Sequence, residues 1–397
     1  VNAPGVWIAP GADLGEVVRH AWAHSPAQRA RLDAAGIVVR SVAAPADLRA
    51  VPVMRKELLG PLQEAARPFG GLLGEPVADL ARIFVSAGGV YDPQGARPDY
   101  WRFGPALSAA GFGPGDVVIN CTSYHLSPLG FIFDDALRSL GCVVIPGGIG
   151  QQELQMQVMT SCGVNGYVGL PSYLLALLER GPLPRLAKAL VAAEPLPPSL
   201  RAKLAGYGVD VYQAYGTADL GLIGYECSAK QGLHLDAGVT LEICDPEGQP
   251  VAPGEVGEVV VTLLDKTYPL LRFGTGDLSA FVTEPCACGR PAMRIKGWMG
   301  RANDVVKVRG VFLYPRQVDE ALAGFRGQVG RWQAVVTQDE HHRDHLTVRV
   351  EALGPLDGGA VGAAMKALTR LTAVVELVGL GEIAESAARL DDRRTWD

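Results

Sequence analysis

Tyr212-Gln-Ala-Tyr-Gly-Thr-Ala-Asp219 decides the fold once two later stretches are set beside it. It follows a strand predicted at 209–211. A Tyr-Gly-Thr turn at a strand's end offers a hydroxyl and backbone N–H groups to a phosphate, and Asp219 lies two residues on, placed for Mg²⁺. Alone, it is an ordinary strand-ending turn. Arg272-Phe-Gly-Thr-Gly-Asp277 is a second glycine-rich turn that closes on a carboxylate. An Asp held rigidly there accepts both hydroxyls of a ribose, although the motif by itself is also a common turn. The third stretch, Gly300-Arg-Ala-Asn-Asp-Val-Val-Lys-Val-Arg-Gly310, combines a cationic fork, a flexible glycine and two polar hinge candidates, Asn303 and Asp304. Alone, it reads as a solvated hairpin.

Upstream, short apolar runs at 82–85, 116–120, 142–145, 166–169 and 189–192 alternate with helix-like segments. This pattern predicts an α/β fold with a mostly parallel sheet covered on both faces. Near 233 the character changes. Runs at 241–244 and 258–262 flank Asp245-Pro-Glu-Gly-Gln-Pro250 and predict a β-meander or barrel. A boundary falls near 300–304, giving a large core over 1–302 and a small α+β unit over 303–397. The latter should hold a hairpin (333–337 and 345–350), a helix at 359–371 and a strand at 374–378.

A chain of 397 residues is long enough for two or three domains with a large apolar core. Its net charge of −6, without any run of Lys and Arg, argues against a nucleic-acid partner. No stretch of about 18 apolar residues exists to span a membrane, and the first residues carry no secretory pattern. Seven cysteines, an odd number in a long chain, fit free thiols or a metal site in a reduced cytoplasm better than a disulfide framework. A monomer or homodimer is expected.

Four soft ligands gather downstream of 225: Cys227, His234, Cys286 and Cys288. Three thiolates and an imidazole match a closed tetrahedral zinc site, and Gly289 permits the sharp turn after the Cys-x-Cys pair. The alternative is buried free thiols and a surface histidine. Cys121, Cys142, Cys162 and Cys244 lie in apolar contexts and read as core.

Taken in order and at this spacing, the three stretches resemble the adenylate-forming superfamily, and within it the phenylacetate–CoA ligase family. That pattern is a Tyr-Gly-x-Ser/Thr-Glu turn, an Arg-x-x-Thr-x-Asp turn, then Gly-Arg-x-Asp-Asp and a Val-Arg-Gly-Val stretch. Val51-Pro-Val-Met-Arg-Lys56, Asn120-Cys-Thr-Ser-Tyr-His-Leu126, Val144-Ile-Pro-Gly-Gly148 and Ala193-Glu-Pro-Leu-Pro197 support it, and the likeness covers roughly 48–394. The resemblance implies a mobile C-terminal lid over an adenylation core. It implies ATP/AMP, Mg²⁺ and CoA as cofactors, a small carboxylic acid as substrate, and Cys and His at the zinc positions.

By the same resemblance, Asp277 holds the ribose and Arg301 contacts ribose or phosphate. Tyr215, Gly216 and Thr217 meet the AMP phosphate, and Asp219 stands where the family has a Mg²⁺-binding Glu. Ala193, Glu194 and Pro195 line the adenine pocket. Tyr124 and His125 gate the passage between acyl pocket and CoA channel, and Arg309 and Gly310 approach the pantetheine. Lid rotation centres on Asn303 and Asp304.

Three departures stand out. The phosphate loop, rich in Ser, Thr and Gly and carrying a Lys in the family, is here Ser86-Ala-Gly-Gly-Val-Tyr-Asp-Pro93, where Ser86, Gly88 and Gly89 remain to cradle phosphates. The hinge Asp is Asn303. Ala388 holds the place of a lid lysine that bridges substrate carboxylate and α-phosphate. Losing such a preorganised cation commonly costs ~3–4 kcal/mol, about 10²–10³ in rate. The main expectation is therefore an aryl- or small-acyl-CoA ligase weakened in adenylation. The alternatives are an acyltransferase moving an acyl group from CoA to a carrier protein or amine without ATP, and a non-catalytic nucleotide- or acyl-binding protein.

Overall fold

A computed structural model describes residues 6–86, 88–245, 247–302, 306–313 and 315–395. The chain has a two-domain α/β architecture with mixed parallel and antiparallel sheets, divided into compact units Val1–Ala302 and Asn303–Asp397. The expected hinge residues Asn303 and Asp304 lie outside the described residues. No helix among the described residues is long and apolar enough to cross a membrane.

The centre of the first unit is a nine-stranded sheet. Five neighbouring strands run parallel: Asp210–Thr217, Lys188–Val191, Gly166–Gly169, Val117–Cys121 and Val143–Ile145. The helices Leu129–Ser139, Gln152–Ser161, Pro171–Leu178 and Pro198–Gly206 connect them. Two of these helices begin with proline, whose fixed φ and missing N–H suit the first turn. Successive residues of each strand serve opposite faces. Val118, Val168 and Leu190 pack with Phe133 and Leu137 on one side. Ile119, Tyr167, Ala189 and Val191 pack with Leu174 and Leu177 on the other. Burial on both faces explains why these strands read as continuous apolar runs rather than alternating ones.

A second sheet is built from Val6–Ile8, Val239–Cys244, Gly257–Leu263, Phe273–Ser279 and Met54–Arg55. Arg272, just before the fourth strand, is 1% exposed. Its guanidinium pairs with Glu242 at 2.9 Å and donates to the carbonyls of Val51 and Gly248. This ties the strand to the segment that begins at Val51.

Four expectations need correction. The run at 82–85 does not join the parallel sheet: Leu80–Val85 pairs antiparallel with Tyr91–Gly95. Five residues separate these strands, far fewer than a parallel crossover needs. Tyr215-Gly-Thr217 is the end of the strand Asp210–Thr217, and the turn comes after it. Phe273 to Asp277 is likewise strand, with a register slip against Glu258 and Val260, and Gly276 there takes φ +73°. A glycine that admits a bulge gives the same sequence signal as one that ends a strand. Cys162 is exposed because it caps the outer end of the helix Gln152–Ser161, whereas Cys121, Cys142 and Cys244 are buried.

In the second unit the hairpin Val306–Val308/Val311–Leu313 precedes the helix Pro315–Leu322. A four-stranded sheet follows, in the order Val374–Val378, Asp344–Ala352, Val329–Gln338, Leu390–Asp392, with the helix Gly358–Thr369 beside it. Ala334, Val336, Leu346, Val348 and Val350 alternate toward Val318, Leu322, Val361 and Met365.

Candidate functional site

Five parallel strands bring their carboxyl ends to one edge of the large sheet, the edge where α/β sheets place ligands. Tyr124 and His125 follow Val117–Cys121, Ala193 to Pro195 follow Lys188–Val191, and Tyr215 to Thr217 end their own strand. Tyr124 points inward. Its hydroxyl donates to Asp134 at 3.0 Å and accepts from the Asn120 amide at 2.8 Å, and its ring meets Phe131 edge-on. Burial and then Asp134 raise its pKa, so it stays a donor. His125, next in the chain, is exposed. Ala193 takes φ +69°, and the Glu194 carboxylate accepts the Ser172 hydroxyl at 2.6 Å.

Asp277, on the strand Phe273–Ser279 of the second sheet, reaches Tyr215 at the end of the strand Asp210–Thr217. Its Oδ2 accepts the Tyr215 hydroxyl at 2.9 Å, and its Oδ1 accepts the Trp298 indole N–H at 3.1 Å and pairs with Arg301 at 3.0 Å. The bulge in Phe273–Ser279 turns this side chain toward Tyr215. Burial and the Asp277 charge push the Tyr215 hydroxyl pKa well above its usual value, keeping its proton. The sequence reading named Asp277, Arg301 and Tyr215 but missed Trp298. The only signal for it was its place three residues before Arg301.

Asp219 is less open than expected. Its side chain has no exposed surface, and Oδ2 pairs with Lys56 at 2.5 Å. Its Oδ1 and both oxygens of buried Asp92 have no hydrogen-bond partner among the described residues. Burial first, and then the Asp219 charge, push the Asp92 carboxyl up to about 8. Orphaned carboxylate oxygens are hard donors of the kind Mg²⁺ takes, although Lys56 already neutralises part of the charge. Thr217 Oγ1 accepts from the Leu220 N–H at 3.2 Å, closing the turn that carries Asp219.

The loop from Ser86 folds on itself more than the sequence implied. The Ser86 N–H bonds Val90 O at 2.8 Å and the Gly89 N–H bonds Ser86 O at 3.1 Å. Gly88 and Gly89 take φ +93° and +76°, which only glycine adopts readily. Of the two glycine N–H groups expected to face phosphates, that of Gly89 is thus engaged within the loop. Ala87 lies outside the described residues.

Cys227, His234, Cys286 and Cys288 converge, with ligand atoms all within 4.8 Å of one another. Cys227 follows the strand Gly221–Tyr225, His234 sits in Leu233–Leu235, and the two other cysteines lie on the loop before Arg294–Ile295. Cys227 Sγ is 3.6 Å from Cys286 Sγ, and Cys288 Sγ is 3.3 Å from His234 Nε2. His234 Nδ1 meets the Ala292 carbonyl at 3.1 Å, which sets the tautomer and leaves the Nε2 lone pair facing the sulfurs. Burial lowers the His234 pKa, favouring the neutral ligand form. The Cys288 N–H lowers that of Cys286, favouring thiolate. This donor set fits a closed zinc site in number, softness and second-sphere support.

In the second unit Arg309 and Gly310 form the tip of the hairpin, both at positive φ. Asp344 accepts the Arg309 N–H at 2.8 Å and pairs with Arg394 at 3.1 Å. Ala388 is exposed, and its carbonyl accepts the Gln333 amide at 3.1 Å.

Residues 108–262 match the AMP-binding enzyme family, and residues 310–394 match the AMP-binding enzyme C-terminal domain. The chain is 31% identical over 363 residues to the phenylacetate-coenzyme A ligase of Thermus thermophilus, an alignment covering 86% of this chain and 80% of that protein. It is 31% identical over 355 residues to the phenylacetate-coenzyme A ligase of Aromatoleum evansii, covering 84% and 79%. In fold it is similar to 2-hydroxyisobutyryl-CoA ligase crystallised with 2-HIB-AMP and CoA, with a TM-score of 0.87 at 24% identity, covering 96% and 88%. The amide bond synthetase McbA of Marinactinospora thermotolerans shares the fold at a TM-score of 0.59 and 17% identity, covering 95% and 94%. With relatives at this identity and coverage, and with the Tyr215 and Asp277 side chains of two motifs hydrogen-bonded to each other, the chain belongs to the adenylate-forming family of AMP-binding enzymes, among the relatives of the phenylacetate–CoA ligases.

Proposed function

We propose that the chain is an AMP-forming acid–thiol ligase acting on an aryl or small acyl carboxylate. A carboxylate oxygen attacks the α-phosphorus of ATP, the bond to pyrophosphate breaks, and an acyl-adenylate forms. The CoA sulfur then attacks the acyl carbon, loses its proton, and displaces AMP. The observation that carries this reading is the Asp277 carboxylate, fixed by Arg301 and by Tyr215 near the carboxyl end of the strand Asp210–Thr217. It is the acceptor a ribose requires. Arg301 then contacts ribose or phosphate, Tyr215, Gly216 and Thr217 flank the α-phosphate, and Ala193, Glu194 and Pro195 face adenine. Ser86, Gly88 and Gly89 border the distal phosphates. Tyr124 and His125 gate the acyl pocket. Arg309 and Gly310 meet the pantetheine when residues 303–397 move as a lid about Asn303 and Asp304. Mg²⁺, when bound, supplies charge neutralisation for the phosphates, and Asp219 is the residue that would hold it.

The decisive assay supplies ATP, Mg²⁺, CoA and a panel of aryl and short-chain acids. Expected is acyl-CoA and AMP in equal amounts, dependent on ATP. A second reading, acyl transfer from CoA to a carrier protein or amine without ATP, is favoured by the self-bonded loop at Ser86 and by Ala388. Turnover of acyl-CoA with an amine or carrier acceptor, and no AMP with any acid, would replace the first reading by the second.

One zinc ion per chain is expected at Cys227, His234, Cys286 and Cys288. Metal analysis of protein purified without added zinc checks it, as does its loss in the variant Cys286→Ala/Cys288→Ala. Chelation should lower the melting temperature rather than remove a chemical step, because protein fills all four positions. Zinc retained by the double variant, or absent from the parent, would remove the assignment.

A further inference from the structure

Asp277 is crowded in a way that bears on how nucleotide enters. A carboxylate offers about four acceptor sites over its two oxygens. Three are taken: one on Oδ2 by the Tyr215 hydroxyl, and two on Oδ1 by Trp298 and Arg301. Two ribose hydroxyls need two sites. With both sites of Oδ1 occupied, one of its donors must give way.

The two donors are not equal. Both bonds are charge-assisted by the carboxylate, but Arg301 adds a full positive charge of its own, so its contact with Oδ1 is an ion pair and the stronger of the two. Its backbone bridges that of Asp277, and the next residue, Ala302, donates to the Gly276 carbonyl at 2.7 Å. Trp298 is neutral, and its bond to Asp277, at 3.1 Å, is the longest of the three. Its backbone is also held, because Met299 N–H bonds Leu278 O at 2.9 Å and the Gly297 carbonyl accepts the Ser279 hydroxyl at 2.7 Å. Only the indole can move away, by rotating about its own side-chain bonds.

We propose that Trp298 is a placeholder for a ribose hydroxyl. Its indole N–H satisfies Asp277 Oδ1 before nucleotide arrives, is displaced on binding, and sets nucleotide affinity by that competition. The inference rests on the reading of Asp277 as the ribose acceptor. It predicts a sign opposite to that for an ordinary contact residue: removing the N–H should tighten binding.

Trp298→Phe keeps an aromatic ring and removes the donor. Calorimetry with AMP should give a Kd about tenfold lower than the parent's, the lower end of the worth of one hydrogen bond to a charged group. An unchanged or raised Kd in folded variant protein overturns the proposal. A measurement on the unsubstituted sequence stands beside it. In protein labelled with 5-fluorotryptophan, the ¹⁹F resonance assigned to Trp298 by its loss in W298F should shift as AMP is added. A resonance that does not move at saturating AMP also overturns the proposal. The two levels separate cleanly. If Asp277→Ala leaves AMP affinity intact, the ribose reading falls and the placeholder with it. If Asp277→Ala loses AMP while Trp298→Phe does not tighten it, only the placeholder falls.

Discussion

Asp277→Ala should abolish measurable AMP binding. Asp277 is 7% exposed, and its carboxylate is the group on its strand able to accept two vicinal hydroxyls. Each such charge-assisted bond is worth ~1.5–3 kcal/mol, so losing two weakens binding by about 10²–10⁴. The substitution also leaves Arg301 without its 3.0 Å partner, so folding must be checked by the melting transition. Asp277→Asn guards against a trivial result. It keeps the shape and one acceptor oxygen and should bind AMP at a level between parent and alanine variant. Calorimetry showing parental affinity in a folded alanine variant would take Asp277 out of the nucleotide site.

Asp277 stood out in the sequence as a candidate because glycines flank it at fixed offsets and an Arg-containing motif follows at a fixed distance. The parallel strands were legible because doubly buried strands are short apolar runs. The convergence of Cys227, His234, Cys286 and Cys288 was legible by chemical type, since thiols and an imidazole are scarce enough to be paired by softness. Long-range polar pairing was not legible. Lys56 and Asp219 stand 163 residues apart in sequence. They meet because Met54–Arg55 adds to the edge of one sheet while Asp219 leaves a strand of another, and no local periodicity encodes that meeting. Asp92 falls in the sequence inside the phosphate loop, yet it lies in the strand Tyr91–Gly95, whose antiparallel pairing with Leu80–Val85 accompanies its burial. Trp298 is hidden differently, as an apolar residue in a stretch where one more apolar residue carries no message. Its meaning comes entirely from the bulge that turns Asp277 toward it.

On the reading that places Ala388 at the lid-lysine position, Ala388→Lys should raise ATP–pyrophosphate exchange by about 10²–10³. On the same reading it should leave acyl transfer from a synthetic acyl-adenylate to CoA nearly unchanged, because the lid lysine is proposed to act in adenylation alone. The position suits the substitution. Ala388 is exposed, while its carbonyl and that of Arg389 are fixed by Gln333 and by the Ala334 N–H. A lysine there has an anchored backbone and a side chain with room to extend. The neighbouring cations are already engaged. Arg389 pairs with Asp319 at 2.8 Å and lies over the Trp332 ring, Arg393 pairs with Asp391 at 2.8 Å, and Arg394 is 6% exposed in its side chain between Asp344 and Asp392. Recruiting any of them to an α-phosphate breaks an existing ion pair, so the parent chain should adenylate slowly. If exchange stays undetectable with lysine restored, the lesion lies in the self-bonded loop at Ser86 and beside Asp92, and acyl transfer without ATP becomes the better reading. If the parent already exchanges pyrophosphate briskly, the cation comes from elsewhere. Arg389 is then the residue to test, since its partner Asp319 is half exposed and its ion pair is the weakest hold among the three.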